Sequence, residues 1–456
     1  MADNEDSRSR RGYLRAVLGT GVVSGLAGCG ALTGGETTDT TEEQAATDTG
    51  TSTTTTASGA TENGTATEDA GDTETATDPP ASFPVLSSAE PTYRRWQPGT
   101  GDLAGTLTAA HNIGRYRDKR AALPAAEYES GTSWAMFGGY VGVEYEELGG
   151  VLIGLTAPGP ILTGSFARAD VESRLRAMPY EQYTSRDGVT YYRWDGGSSS
   201  RFVGVSGAGV IHGAGRRDAD DPAAQFADRC VPFFETARGD RPALHEENDQ
   251  YRQYTDAIGW PLVASASLPR PLDGPGSAGG LHPVGDVVSE SVAASLRMGY
   301  GVYLADGSLV SRYWLRTSDD ASVSTEEALA AYRDGEARSG LANEGESVAV
   351  RRDGRVVDVG VLDPVQQAGG GVDPVPVALD VAREGRTVTV EHVAGAALPL
   401  SRVTVLAGAD PVGSLGDGTL SPGDSVSVEV PEGTERVRLL YSTPNSEGRT
   451  VIAEAE

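Results

Sequence analysis

The sequence predicts an α+β fold: antiparallel sheets with helices on one face, then a C-terminal all-β sandwich, all preceded by a disordered N-terminal tether. Three observations predict it. Short runs of alternating apolar and polar residues recur along the body and are separated by Asp-Gly turn signals. Helical patterns interrupt these runs in a few places. Residues 30–88 are dominated by Thr, Ala, Gly, Asp and Glu, with almost no large apolar side chain before Phe83.

The tether is predicted over residues 30–88 because this composition cannot bury enough apolar surface to offset the entropy of ordering. Asn63 starts an Asn-Gly-Thr sequence, which is an acceptor site for N-linked glycan, and the threonine runs are candidates for O-linked sugar. The segment is interpreted as a spacer between a membrane and the body.

The predicted body has two halves, residues 89–245 and 246–362. Each half places a strand pair before a helix and a hairpin after it, so the order of elements suggests a duplicated α+β unit. In the first half, strands are predicted over 93–97, 133–145, 151–156, 161–166, 181–185, 189–194, 201–206 and 210–213, with helices over 168–178 and 221–238. In the second half, helices are predicted over 246–258 and 325–338, with strands over 261–268, 287–304, 308–317, 347–351 and 355–362.

A linker is predicted over residues 363–374, where Asp-Pro pairs flank three consecutive glycines. Residues 375–456 then read as a β-sandwich. Its alternating strands are predicted over 387–393, 401–406, 425–430 and 436–441, with a last strand at 451–453.

The composition is strongly acidic. The 456 residues contain 65 Asp and Glu against 37 Lys and Arg, for a net charge of −28, and Lys119 is the only lysine. An acidic surface of this kind stays hydrated when salt shortens the Debye length, so the chain resembles proteins of halophilic archaea. An acidic secreted protein of another organism is the alternative. Because no basic stripe is present to neutralise phosphates, nucleic acid is not expected as a partner.

The leader, residues 1–29, is read as an export signal. Arg10 and Arg11 are followed by Tyr13 and Leu14, then by an apolar run of about a dozen residues, too short to span a bilayer. Small residues then precede Cys29. This order resembles a twin-arginine signal that ends in a lipoprotein cleavage box. The resemblance implies export by the twin-arginine translocase, lipidation of Cys29, and a body anchored to the membrane on the extracellular side.

Two further resemblances concern the body and the sandwich. The segment Gly164-Ser165-Phe166, followed by Arg168 to Val171, resembles an uncharacterised family of lipoproteins from halophilic archaea, which implies no activity. The C-terminal module is similar to the β-domain of archaeal pilin-like proteins. The matching residues are Thr389, Val390, His392, Gly395, Pro399, Leu400, Ser401, Leu420, Gly423 and Asp424. Because the apolar assembly helix that pilins carry directly before this domain is missing here, an appended sandwich is expected rather than filament assembly.

The search for catalytic or metal-binding patterns gives little. The five histidines lie at 111, 212, 245, 282 and 392 without a His-Glu-x-x-His pair, and are expected to be solvated or to cap helices, with His212 the first to inspect. Ser206 and Ser133 each lack the last glycine of a nucleophile elbow. The acidic clusters 218–221 and 319–320 fit calcium or, more simply, an acidic surface.

Two other features have simple structural interpretations. Cys230 is the only cysteine besides Cys29, and it is predicted to be a buried small apolar residue on a helix. The aromatic residues of the 180–194 hairpin either pair across strands or offer a stacking face for sugar.

The sequence therefore predicts a lipid-anchored, extracellular cell-surface lipoprotein with a non-catalytic role in binding or envelope structure, and no catalytic, cofactor or metal residues. Two alternatives stay open. One is a solute-binding lipoprotein that feeds a transporter. The other is an exported hydrolase with a site assembled from distant residues, such as His212 with Ser206.

Overall fold

The computed structural model describes residues 90–99, 106–153, 157–196, 200–215, 221–267, 297–305, 307–316, 347–353, 356–365, 368–369, 371–444 and 449–455. The expectations for the leader, the tether, Asn63, Cys29 and the arginine pair lie outside these residues, as do the helix at 325–338 and His282. Among the described residues, no helix combines the length and apolar character needed to cross a bilayer.

The structure confirms the α+β class. One large antiparallel sheet forms the body. Its strands are β1 (Thr106–His111), β2 (Leu148–Ile153), β3 (Ile161–Gly164), β4 (Glu181–Arg186), β5 (Val189–Trp194), β6 (Ser200–Val205), β7 (Val210–Gly215), β8 (Val263–Ser267), β9 (Arg297–Ala305), β10 (Ser308–Arg316), β11 (Ser347–Asp353) and β12 (Val356–Pro364). Their order in the sheet is β11-β12-β10-β9-β8-β1-β2-β3-β7-β6-β5-β4.

The strand order is the same on both sides of the central β1–β8 pair. Moving outward, the first half runs β1-β2-β3-β7-β6 and the second half runs β8-β9-β10-β12-β11. In each half the third strand pairs with the last strand of a later hairpin: β3 pairs with β7 of the β6–β7 hairpin, and β10 pairs with β12 of the β11–β12 hairpin. The first half adds the β4–β5 hairpin at its edge. The hairpin that the sequence places after the helix of the first half, β4–β5, lies at the edge of the sheet, whereas its counterpart in the second half, β11–β12, pairs with β10.

The described helices are α1 (Ile113–Lys119), α2 (Ala125–Thr132), α3 (Gly138–Val141), α4 (Arg168–Ala177), α5 (Pro222–Arg238), α6 (Leu244–Glu247) and α7 (Asp249–Ile258). The start of α5 follows the predicted signals, since the Asp221 side chain accepts a hydrogen bond from the Ala224 backbone N at 3.1 Å and Pro222 opens the first turn. Gly239, at φ 82°, ends the helix.

The helices cover both faces of the sheet, which corrects the expectation of one face. Val171 and Leu175 of α4 pack with Val203 on one face. Phe233 of α5 packs with Phe202 on the other. The reason lies in strands such as β5 and β6, whose side chains are buried in both directions, so each face needs its own cover.

Two predicted strands are helical turns instead. Residues Thr92–Trp96 form a 3₁₀ turn, in which a spacing of three places Tyr93 and Trp96 in the same core. Residues 133–141, part of the strand predicted over 133–145, form a 3₁₀ turn and α3. Its apolar side chains are buried on several sides rather than on one face, so a strand's alternation does not apply.

The C-terminal residues form the expected sandwich. Its strands are β13 (Val377–Glu384), β14 (Thr387–Gly395), β15 (Leu398–Pro399), β16 (Val403–Ala407), β17 (Asp410–Ser414), β18 (Thr419–Leu420), β19 (Ser425–Glu429), β20 (Val437–Ser442) and β21 (Arg449–Ala455). Sheet β13-β14-β19 and sheet β17-β16-β20-β21 enclose a core that includes Leu379, Val390, Val405 and Leu439.

The sandwich packs directly on the body. Met136 belongs to the sandwich core, and Ala378 belongs to a body core. The Tyr140 hydroxyl donates to the backbone O of Ile452, and Arg201 Nη2 donates to that of Leu379 at 3.2 Å. Residues 371–373 belong to the segment predicted as a linker, and they form hydrogen bonds with the body. Arg120, between α1 and α2, donates to the Asp373 carboxylate at 2.8 Å. Glu129, in α2, accepts from the backbone N of Val372 at 2.8 Å.

We expect Gly139→Ala to weaken this contact. An added Cβ would lie 2.3 Å from the backbone N of Val377, so α3 and β13 would have to separate. Overpacking of this kind costs about 1–3 kcal/mol in the free energy of unfolding, which urea denaturation measures. Gly369→Ala is the control, because that Cβ meets nothing within 4 Å. Equal stability of the two variants would contradict the close packing.

Candidate binding site

A cleft opens at one end of the central strands β1, β2 and β3. Its volume is about 660 Å³, within the range of pockets that hold small molecules. The cleft runs over the end of the sheet, from α1 on one face to the 3₁₀ turn of residues 92–96 on the other. The turn between β6 and β7 and the segment before β8 complete its walls.

The first wall of the cleft comes from the start of α1. Asn112 caps this helix, and its side-chain oxygen accepts a hydrogen bond from the Arg115 backbone N at 3.0 Å. The cap fixes the first turn, and so places Asn112, Arg115 and Asp118 along one side of the cleft. Asp118 is exposed, whereas Asn112 is buried to 7% exposure.

The opposite wall carries aromatic and basic side chains. Trp96 and Arg95 come from the 3₁₀ turn, and Trp260 comes from the segment before β8. Tyr93 packs against the Trp260 ring, with centroids 5.2 Å apart and planes at 47°. Trp260 stays partly exposed, so part of the indole borders the cleft.

Glycines form much of the floor. At Gly164 a Cβ would lie 2.0 Å from the backbone O of Glu147, so only glycine permits this close approach of chains. At Gly207, in the β6–β7 turn, a Cβ would meet nothing within 4 Å. A side chain could therefore begin there without a clash, at a position that lines the cleft.

The charges of the cleft are incompletely neutralised. Arg115 Nη1 donates to the backbone O of Trp260 at 3.3 Å, and within the described residues this guanidinium forms no ion pair. Its Nε is buried and has no hydrogen-bond partner there either. Arg95 is 61% exposed and lies 3.6 Å from Glu90, a loose pair that contributes little.

The sequence did not identify these residues, because each comes from a different segment and none belongs to a local motif. Two weak signals were present. The chain has only five tryptophans, and Trp96 and Trp260 are two of them. Asn112 precedes an apolar-periodic segment, which is typical of a helix cap.

His212 and Ser206 do not form a catalytic pair. Ser206 Oγ donates to the backbone O of Gly209 at 3.3 Å, and neither ring nitrogen of His212 has a hydrogen-bond partner in the described part of the chain. In the β6–β7 ladder His212 pairs with Val203, three residues before Ser206. The pair considered from the sequence is therefore not assembled.

Three of the histidines expected to be solvated or capping are buried instead: His111, His212 and His392. His212 stacks on Tyr140 at 5.1 Å and 6°, and the Arg201 guanidinium lies 4.1 Å from the centre of the same tyrosine ring. Burial, and then the Arg201 charge, lowers the pKa of His212 to about 3. Burial lowers the pKa of His111 to about 4.

The remaining sequence expectations are structural. Cys230 is fully buried on α5, as predicted, and burial raises the pKa of its thiol. Tyr191 and Tyr192 are buried on opposite faces of the sheet, and Tyr180 packs against Trp194 with ring centres 5.5 Å apart, so the hairpin aromatics are core residues rather than a sugar platform. Across the described ranges, no group of three or more His, Cys, Asp or Glu side chains is arranged to hold a metal ion.

Comparisons with known proteins add little. No protein-family model matches the chain, and no curated protein matches it. Crystal form III of TP0453 is similar at a TM-score of 0.33 and 11% identity, covering 62% of this chain and 97% of that one. Crystal form I gives 0.32 and 12%, covering 61% and 94%. Likenesses this low carry no argument about function.

We expect the free energy of unfolding of His212→Phe to fall less steeply with decreasing pH than that of the unsubstituted protein. The folded-state pKa of about 3 lies below the ordinary 6.5, so below about pH 6.5 the unfolded chain binds a proton that the folded chain does not. The free energy of unfolding therefore decreases as the pH falls from about 6.5 towards 3, and this histidine contributes about 1.4 kcal/mol per pH unit to the decrease. Phenylalanine keeps the stack on Tyr140 and removes the proton site.

Urea denaturation across this pH range measures the effect as the slope of unfolding free energy against pH. His245→Phe is the comparison, since that side chain is partly exposed. An unchanged slope in His212→Phe would contradict a neutral, buried imidazole in the native protein.

Proposed function

We propose that this chain is a lipid-anchored protein of the outer cell surface that binds a small solute in the cleft and does no chemistry on it. The observation that carries the binding role is the cleft at the end of the sheet, whose volume suits a small molecule and whose walls combine indole, guanidinium, amide and carboxylate groups. The anchor and the location rest on the sequence of the leader.

The route to the surface follows from the leader residues. Arg10 and Arg11 would direct export by the twin-arginine translocase, and Cys29 would be the mature N-terminus after cleavage and would carry the lipid. Residues 30–88 would then separate the body from the membrane, with glycan on Asn63 if that sequence is used. The acidic composition fits life in high salt and favours neither nucleic acid nor an anionic membrane surface as a partner.

A second candidate is a lipoprotein that delivers its solute to a transporter. The presence of a solute cleft favours it. The position of the cleft argues against delivery to a transporter, because the cleft lies at the end of one continuous sheet rather than between two lobes that close on each other. Loss of uptake of one solute on deletion of the chain, with other uptake unaffected, would favour delivery over simple surface binding.

We expect Cys29→Ser to release the protein from the membrane. The serine cannot carry a thioether-linked lipid, so the exported chain should move from the membrane fraction to the medium. Fractionation and mass spectrometry of the mature N-terminus measure this. Cys230→Ala, which changes the only other cysteine at a fully buried site, is the matched control and should stay with the membrane. Membrane retention of Cys29→Ser would contradict the anchor.

A further inference from the structure

The cleft brings three kinds of recognition group together: a guanidinium that has no carboxylate partner among the described residues, a partly exposed indole, and amide and carboxylate groups that can bind hydroxyls. We propose that its ligand is a sugar acid, a pyranose ring carrying a carboxylate. The proposal rests on the proposed function, since it names the ligand of the cleft assigned there.

The carboxylate would bind Arg115. This chain has 65 acidic residues, yet among the described residues Arg115 has no acidic partner and only one hydrogen bond, from Nη1 to the backbone O of Trp260. Arg94 shows the contrast: it lies 2.5 Å from Asp256 and is 7% exposed. Because Nε is buried, Nη2 and the second hydrogen of Nη1 are the donors left for a ligand, and the two terminal nitrogens of a guanidinium can bind one carboxylate in a planar fork.

The ring would lie against indole. Trp260 is held in place by Tyr93 and is partly exposed beside the cleft, and Trp96 lines the same wall. Indole offers a rigid apolar surface to the C–H groups of a sugar while its edge remains near water. A bare inorganic anion would leave this wall unused.

The hydroxyls would bind on the α1 side. Asn112 has its side-chain oxygen committed to the Arg115 backbone, and its NH₂ group has no acceptor in the described part of the structure. Asp118 is exposed on the same side. A carboxylate near Arg115 opposes a simple anion by charge repulsion, but it accepts hydrogen bonds from hydroxyl groups, so its presence favours a hydroxylated anion.

The glycine of the β6–β7 turn provides a way to block the site without changing these groups. Gly207 lines the cleft, its φ is not in the left-handed region, and a side chain there meets nothing within 4 Å. Gly207→Trp should therefore fold normally and fill the cleft. Gly369→Trp is the matched control, because Gly369 is equally open and does not line the cleft.

The test measures binding of D-glucuronate and D-glucose, which differ at C6 by a carboxylate, by calorimetry and tryptophan fluorescence at one fixed salt concentration. We expect glucuronate to bind at least about tenfold more tightly than glucose, since a charged hydrogen bond contributes about 1.5–3 kcal/mol. Arg115→Gln should remove this preference and Arg115→Lys should restore part of it. Gly207→Trp should abolish binding, and Gly369→Trp should leave it unchanged.

Four results would overturn the proposal: equal binding of glucose and glucuronate, equal binding of inorganic sulfate, equal binding of benzoate, or no glucuronate binding. Sulfate would indicate an anion site without a sugar, and benzoate an aromatic acid site. Binding of another solute that Gly207→Trp abolishes would reject the sugar acid while keeping the cleft as the binding site. Release experiments on Cys29 test the anchor independently of all these results.

Discussion

The antiparallel pairing of β1 with β8 is the contact on which the architecture of the body depends. It joins strands from the two halves of the chain at the centre of the sheet, with Ala110 opposite Ala264 and His111 opposite Val263. Small and β-branched side chains at these positions let layers pack closely on both faces. Because the pair is antiparallel, the end of β1 lies opposite the start of β8, so the start of α1 and the segment before β8 reach the same end of the sheet, and this brings Arg115 and Trp260 into one cleft.

Burial on both faces of the sheet has a second effect, on the histidines. His111 and His212 lie where water does not solvate a charge, and His212 is also close to a positive guanidinium. Both imidazoles are therefore neutral in the native protein and pack as aromatic rings: His212 stacks on Tyr140, and His111 lies against Trp134 with the ring planes tilted by 40°. Tyr140 and Arg201 also bind the sandwich, so this buried stack lies at the contact between the body and the C-terminal sheets.

Turns, the start of a helix and alternating strands could be predicted from the sequence, because each of them depends on a few neighbouring residues. The Asp187-Gly188 turn has positive φ at both residues, 50° and 72°, and joins β4 to β5 as expected. The α5 helix begins at its aspartate cap, and the alternating strands of the sandwich lie where predicted. The 3₁₀ turn at residues 92–96 was predicted as a strand. The segment is short, and two apolar residues three positions apart, Tyr93 and Trp96, do not distinguish a short strand from a 3₁₀ turn. The cleft could not be predicted, because its walls meet only when strands distant in sequence pair.

Lys119 is the only lysine of the sequence, so a single side chain carries a primary amine, and it is adjacent to Asp118 of the cleft. Lys119 is exposed, is the last residue of α1, and directly follows Asp118. Chemistry that is selective for primary amines would therefore attach a fluorophore, a crosslinker or a solid support to the body at one known point. Tryptophans 96 and 260 lie close enough along the same cleft to act as energy donors, so a dye on Lys119 would make the occupied and empty molecule optically distinguishable without any engineered residue.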